Sequence, residues 1–375
     1  WGVAGWGLEA WGTPRTTSYI FQGMRIWSSD TFGQDLVYNV RNGGVYYWSA
    51  ATNLTPSGQV TARGVDITSI ADANAPTVAA RVFVSEERHV VVLGANDPYA
   101  ADPTAQDPML IRWCSQEDPL VWVPAITNTA GSQRLPFGSQ LITAEETRQE
   151  TLIWSDSALY SMRYLGPPYT FGITTLAPHD VTIASPNSVS TANGITYWMG
   201  KGKFYAYSGK VDTLPCPLRQ YVFEDFNLTQ INQVFSGTDE KYNEVWWFYP
   251  SSTSDYNDRY VVYNYLEKVW YYGDISRTAW LESHIQGYPW GAYDGKLVQH
   301  ESGADDGTTN PPTGITAYIE SADFYIGEGE KFSAVSRIVP DIDFIGSTVT
   351  TPAATMTVST RNFPGQGPFV SNDVA

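Results

Sequence analysis

The side chains able to do chemistry in this 375-residue chain are four histidines, two cysteines and 39 carboxylates, and their spacing decides which reactions are open. His89, His179, His284 and His300 keep no fixed spacing to a serine or cysteine, and no Gly-x-Ser-x-Gly elbow occurs, so a nucleophile with its base is not indicated. Each histidine reads as a satisfied surface group at a strand end. Cys-x-x-Cys and His-x-x-x-His are absent, which removes the common transition-metal patterns. Asp255-Tyr256-Asn257-Asp258 and Asp305-Asp306-Gly307 offer oxygen atoms to calcium, but neither completes a loop, and both are expected to be Asx-type turns. Gly200-Lys201-Gly202 is expected to be a hairpin turn rather than a phosphate cradle. Paired carboxylates remain, because glycoside hydrolysis needs two carboxyl groups ~5 to 10 Å apart. Asp156, Glu244 and Asp258 stand beside aromatic residues and are the candidates; capping turns, or pairing with Arg112, Arg163 or Arg259, is the favoured account of them. The expectation is therefore no catalytic residue, no cofactor and no metal: not an enzyme.

The elements that would position such groups are strands. Glu244 to Tyr249, Arg259 to Tyr265 and Val269 to Gly273 are short runs of aromatic and β-branched residues closed by Pro, Asn or Gly. No amphipathic helix of three turns is evident, although Tyr221 to Asn227 could begin a short one. A strand, a tight polar turn and an apolar-aromatic strand recur at Asn42 to Trp48, Trp154 to Tyr160, Trp198 to Tyr205, Tyr265 to Trp270 and Tyr293 to Val298. Hairpins recurring in this way predict an all-β chain with an irregular β-propeller of six or seven blades over 15–303. A pair of β-sandwiches is the competing arrangement. Residues 304–314 carry no large apolar side chain and read as a linker. New strands are expected at Ile315 to Glu320, Phe332 to Val339, Ile342 to Ile345 and Met356 to Thr360, giving a small β-sandwich-like domain over 315–375 that is expected to be incomplete.

The composition limits the partners. Aromatics are 14% of the chain and charged residues only 16%, which excludes disorder and coiled coil. A net charge of −17 excludes a nucleic-acid binder that works through a basic footprint. No apolar run approaches the ~20 residues of a membrane helix. The start, Trp1-Gly2-Val3-Ala4-Gly5-Trp6, does not have the look of a signal peptide, and with no initiating Met, residues upstream of Trp1 are expected. Cys114 and Cys216, about 100 residues apart, read as two buried thiols. Residues 1–14 are a Trp/Gly-rich extended segment. Trp1, Trp6 and Trp11 have neither strand nor helix period, and are candidates for an interface with another surface.

Several runs resemble the tail nozzle proteins of short-tailed bacteriophages, also called tail tubular protein B or packaged-DNA stabilisation proteins. The most specific is Gln106-Asp107-Pro108, then Ile111-Arg112-Trp113-Cys114-Ser115-Gln116-Glu117-Asp118-Pro119, closing with Trp122. Tyr164 to Gly172, Glu244 to Pro250, Asp258 to Tyr265, Arg277-Thr278-Ala279-Trp280 and Arg361 to Gly365 are similar to the same family. Family members usually continue upstream of the Trp/Gly run. The resemblance implies a structural virion protein at the distal end of the tail, without catalytic residues. It implies a homohexameric ring below the tail adaptor ring, with tail fibres as further partners and a channel that retains and then conducts double-stranded DNA during ejection. A DNA conduit should not bind phosphate, since each Lys or Arg contact adds counterion-release affinity. An acidic wall would repel the duplex over the ~8 to 10 Å screening length. The alternative is a secreted propeller that binds or hydrolyses polysaccharide, such as a tail depolymerase or a glycan-binding module.

Overall fold

The computed structural model describes residues 24–55, 57–282, 287–303, 318, 335–345, 351–360 and 369–374. Trp1, Trp6, Trp11, His284, Asp305 to Gly307 and the Arg361 to Gly365 run lie outside the described residues. The chain divides into two compact units, Trp1–Ser302 and Gly303–Ala375.

The first unit is a six-bladed β-propeller, each blade an antiparallel meander whose strands follow chain order. Blade 1 is β1 (Trp27–Phe32), β2 (Asp35–Val40), β3 (Val45–Trp48) and β4 (Val65–Asp66). Blade 2 is β5 (Arg81–Val84), β6 (Val90–Leu93), β7 (Leu110–Trp113) and β8 (Gly131–Arg134). Blade 3 is β9 (Leu141–Glu146), β10 (Thr151–Ser155), β11 (Leu159–Gly166) and β12 (Thr170–Ala177). Blade 4 is β13 (Val189–Ala192), β14 (Ile195–Met199), β15 (Phe204–Tyr207) and β16 (Val211–Leu214). Blade 5 is β17 (Phe235–Asp239), β18 (Glu244–Tyr249), β19 (Arg259–Asn264) and β20 (Val269–Asp274). Blade 6 has three strands among the described residues, β21 (Ala279–Leu281), β22 (Trp290–Tyr293) and β23 (Lys296–Gln299). The pair-of-sandwiches arrangement is set aside, because each of these sheets is its own short meander.

All five expected hairpins form, joining β2 to β3, β10 to β11, β14 to β15, β19 to β20 and β22 to β23. Asn42 (φ 58°), Asp294 (φ 48°) and Gly295 (φ 70°) supply the left-handed backbone that two of these turns require. The short helix near Tyr221 is Arg219–Glu224.

Apolar residues are buried between blades rather than inside any one of them. Val37 and Val45 meet Val82 and Val92 between blades 1 and 2; Leu93 and Ile111 meet Leu141 and Ile153 between blades 2 and 3. Trp154 meets Trp198 between blades 3 and 4 at 5.3 Å, and Phe204 meets Trp247 between blades 4 and 5 at 5.1 Å. Between blades 5 and 6, Trp246 stacks on Trp280 at 5.3 Å. Large rings suit thin blades, since each buries a wide flat area with few rotatable bonds.

In the second unit the described strands are a hairpin, β24 (Met356–Thr360) with β25 (Phe369–Val374). Residues 335–345 form no strand, contrary to the expectation for Ile342 to Ile345 and for the described part of Phe332 to Val339. Side chains there are exposed, Val339 at 70% and Ile345 at 91%. An alternating run without a partner strand to take its backbone hydrogen bonds has nothing to hold it extended as a sheet.

Candidate functional site

The first strand of each blade lies beside the first strand of the next, and cross-blade hydrogen bonds show that they run in the same sense. Ser28 Oγ accepts from the Val82 amide (2.9 Å) and Asp30 Oδ2 from the Val84 amide (2.8 Å). Thr191 Oγ1 donates to Glu145 (3.3 Å), Ser190 and Ser236 share a hydroxyl contact (2.7 Å), and Trp280 Nε1 donates to the Thr238 carbonyl (2.9 Å). These inner strands therefore line the propeller axis, with all their C-terminal ends at one pole.

That pole is acidic. Asp30 follows from β1, Glu86 and Glu87 from β5, Glu145 and Glu146 from β9, Asp239 and Glu240 from β17, and Glu282 from β21. The residues immediately before the same strands (Arg25-Ile26, Ala79-Ala80, Ser139-Gln140, Asn187-Ser188, Gln233-Val234 and Arg277-Thr278) include no acid. Burial pushes the Glu145 carboxyl up to about 7 against the pull of Arg81. Glu146 also rises to about 7, through burial and then repulsion from Asp30 and Glu86; it remains exposed as a residue, so solvent screens part of that effect. Asp239 is 2% exposed with Oδ1 unpartnered, and burial followed by Glu282 raises it. Between blades 2 and 3 a cavity of about 40 Å³ is lined by Glu86, Glu87, Glu146, Glu150 and Arg163. Arg163 is committed to Glu150 at 2.9 Å. Among the described residues no group of three or more His, Cys, Asp or Glu is placed to hold a metal ion. The acids are spread along an arc of inner strands, a distribution suited to setting a potential.

The carboxylates singled out from sequence do not meet. Asp156 accepts from the Ser139 amide (2.8 Å) and hydroxyl (2.6 Å), and Asp258 from the Ser251 amide (2.8 Å) and hydroxyl (2.7 Å), so both hold turns. Glu244 accepts from Trp246 Nε1 at 3.1 Å. Glu244 opens β18 while Asp258 precedes β19, which pairs with the far end of β18, so about 17 Å of strand separates them. None of the three pairs with Arg112, Arg163 or Arg259 in a salt bridge; Arg259 pairs with Asp225 and Asp274. His89 corrects the surface reading of the histidines: it is 0% exposed between Tyr164 and Phe171, because β6 turns it into the junction of blades 2 and 3. Cys114 is buried, but Cys216 is only half-buried; both are free thiols.

The most specific motif run is scaffold. Gln106 Nε2 donates to the Gly94 carbonyl at 2.7 Å, and Asp107 holds Arg134 at 2.7 Å. Arg112, 3% exposed, donates to the Asn96 carbonyl (3.1 Å) and to the Asn74 carbonyl, over the Trp122 ring. Trp113 Nε1 donates to the Thr129 carbonyl and Trp122 Nε1 to the Pro119 carbonyl, each at 2.9 Å.

Sequence reasoning missed the polar axis itself. Its signal is the acidic pair that directly follows an apolar inner strand at Glu86-Glu87 and again within β9 at Glu145-Glu146. A second feature it missed is the face of blade 1 turned away from blade 2. Trp27, Leu36, Tyr38, Tyr46 and Trp48 share it, with Tyr38 stacked on Tyr46 at 5.4 Å, beside a groove of about 630 Å³ that includes Arg63.

No helix among the described residues is long and apolar enough to cross a membrane. No protein-family model and no curated protein matches the chain. Among solved structures, Citrobacter koseri AztD is similar at 8% identity and TM-score 0.42, over 73% of this chain and 68% of that one. Kluyveromyces lactis Hsv2 is similar at 9% identity and TM-score 0.38, over 72% and 69%. The AfRom2 CNH domain is similar at 12% identity and TM-score 0.37, over 71% and 80%.

Proposed function

We propose that this chain is a non-enzymatic structural subunit of the tail nozzle of a short-tailed bacteriophage, one of six in a ring through which the genome is retained and then released. The observation that carries the reading is where the family-like runs fall. They occupy β7, the β11–β12 hairpin, β18 with β19, and the start of blade 6, and in blades 2 and 6 they pin buried groups rather than assemble reactive ones. A wall segment needs rigidity and low affinity for its cargo, and both are consistent with tight inter-blade packing and a net charge of −17. In this reading the tail adaptor ring and fibres are the neighbours, and Trp1, Trp6 and Trp11 are contact residues of the ring. The test is imaging of the purified protein and of its particle: a six-fold ring with a central hole supports the proposal, and a uniformly monomeric protein absent from any particle sinks it.

The aromatic face of blade 1 favours a second reading, a glycan-binding propeller. Exposed rings stack on the apolar faces of sugars, and Trp27 is 54% exposed beside Tyr38. A glycan screen in which Tyr38→Ala abolishes a signal would move the balance to this reading; no retained glycan would remove it.

A further inference from the structure

Five buried apolar clusters fill the junctions of blades 1 to 6 in sequence, yet among the described residues none lies at the sixth junction, between blades 6 and 1. Both faces of that junction are left with apolar side chains in the open. On blade 6 the register sets Trp280, Gly291 and Val298 toward blade 5, so Leu281 (60% exposed) and Leu297 (74%) face the other way. On blade 1 the corresponding face carries Trp27 and Tyr38. Trp290, on the same face as Leu281, buries an indole N–H with no acceptor. Blade 6 is also one strand short, so the far edge of β23 offers unpaired backbone groups.

We infer that residues 16–21 of this same chain form the fourth strand of blade 6, paired with β23, and close the propeller. The occupant follows from how the other blades are joined. Each of β5, β9, β13, β17 and β21 is preceded in the chain by the outer strand of the previous blade, through connections of 4 residues (275–278) to 20 residues (215–234). Only β1 lacks such a predecessor, and only blade 6 lacks an outer strand. Residues 16–21 are Thr-Thr-Ser-Tyr-Ile-Phe, a run of strong strand formers after Pro14 and before Gly23, and 22–26 would leave 5 residues to reach β1. The chain beyond β23 is not the source, because it passes into the second compact unit at Gly303. The alternation Thr17, Tyr19, Phe21 against Thr16, Ser18, Ile20 gives one side rich in ring area to cover the exposed faces. The aromatic face of blade 1 is then a seam of the fold, so success here counts against the glycan reading while leaving the nozzle reading untouched.

Amide hydrogen exchange on the full chain decides it. The peptide over 290–299 is expected to be protected in the wild type. In Ile20→Pro, which removes a donor and bends the strand, and in a chain lacking 1–23, it should exchange about tenfold faster or more while β6 and β10 keep their protection. Wild-type exchange at the unstructured-chain rate over 290–299, or protection that survives both changes, would overturn the inference. So would protection that grows with protein concentration, which would assign the edge to a second copy.

Discussion

At the scale of single residues, Arg112 and Gly237 show how much of this chain's polar and small-residue content serves packing. Arg112 spends its guanidinium on two loop carbonyls and the Trp122 ring. Replacing it with Met should leave both carbonyls without their donor, and denaturant titration should show a loss of about 2–4 kcal/mol. Gly237 sits where a Cβ would overlap the Trp280 indole, so Gly237→Ala should cost about 1–3 kcal/mol and shift the Trp280 fluorescence. Ionisable residues act in opposite directions. Burial and then Arg277 hold His300 down at about 4, below an ordinary 6.5, so its contribution is intact above 6.5 and fades as pH falls toward 4. Glu145, raised to about 7 from 4.5, contributes fully below 4.5 and loses that contribution as pH rises through 7. Glu145→Gln should therefore reduce the gain in stability between pH 8 and pH 5 by about 1–2 kcal/mol, measured by urea unfolding at both values. An unchanged difference would show that its carboxyl titrates normally.

At the scale of elements, the hairpins were legible because their signals are local. Asp294-Gly295 between Tyr293 and Lys296 needs only two left-handed residues and flanking strand formers, all visible in a short stretch. The open space around Gly295 means that Gly295→Ala should pay only backbone strain, about 1 kcal/mol by thermal unfolding, without disturbing a neighbour. Burial of His89 was not legible: Ser85-Glu86-Glu87-Arg88-His89 reads as a polar turn, and only the arrival of Phe171 and Tyr164 from the next blade seals it. Residues 342–345 misled in the opposite way, since an apolar run fixes a strand only when a partner edge is within reach.

At the scale of the whole unit, the acidic pole arises because inner strands share one direction. That direction is a property of the closed topology, so no window of sequence contains it. Its consequence for nucleic acid is measurable. The wild type should show no fluorescence-anisotropy change with duplex DNA at about 50 mM salt, whereas Glu86→Lys, Glu87→Lys and Glu146→Lys combined should bind it. The log of that affinity should fall with log salt by ~0.9 for each phosphate engaged. Tight wild-type binding would contradict a conduit.

The hydroxyl and carboxyl contacts that stitch each inner strand to its neighbour, such as Ser28 to Val82 and Ser190 to Ser236, always join a blade to the one made just before it. A nascent chain can thus lay down each blade on a finished template, emerging from the ribosome in the order in which it is assembled. The first blade waits longest with one flank bare, and the last to emerge is the one that decides whether the circle seals.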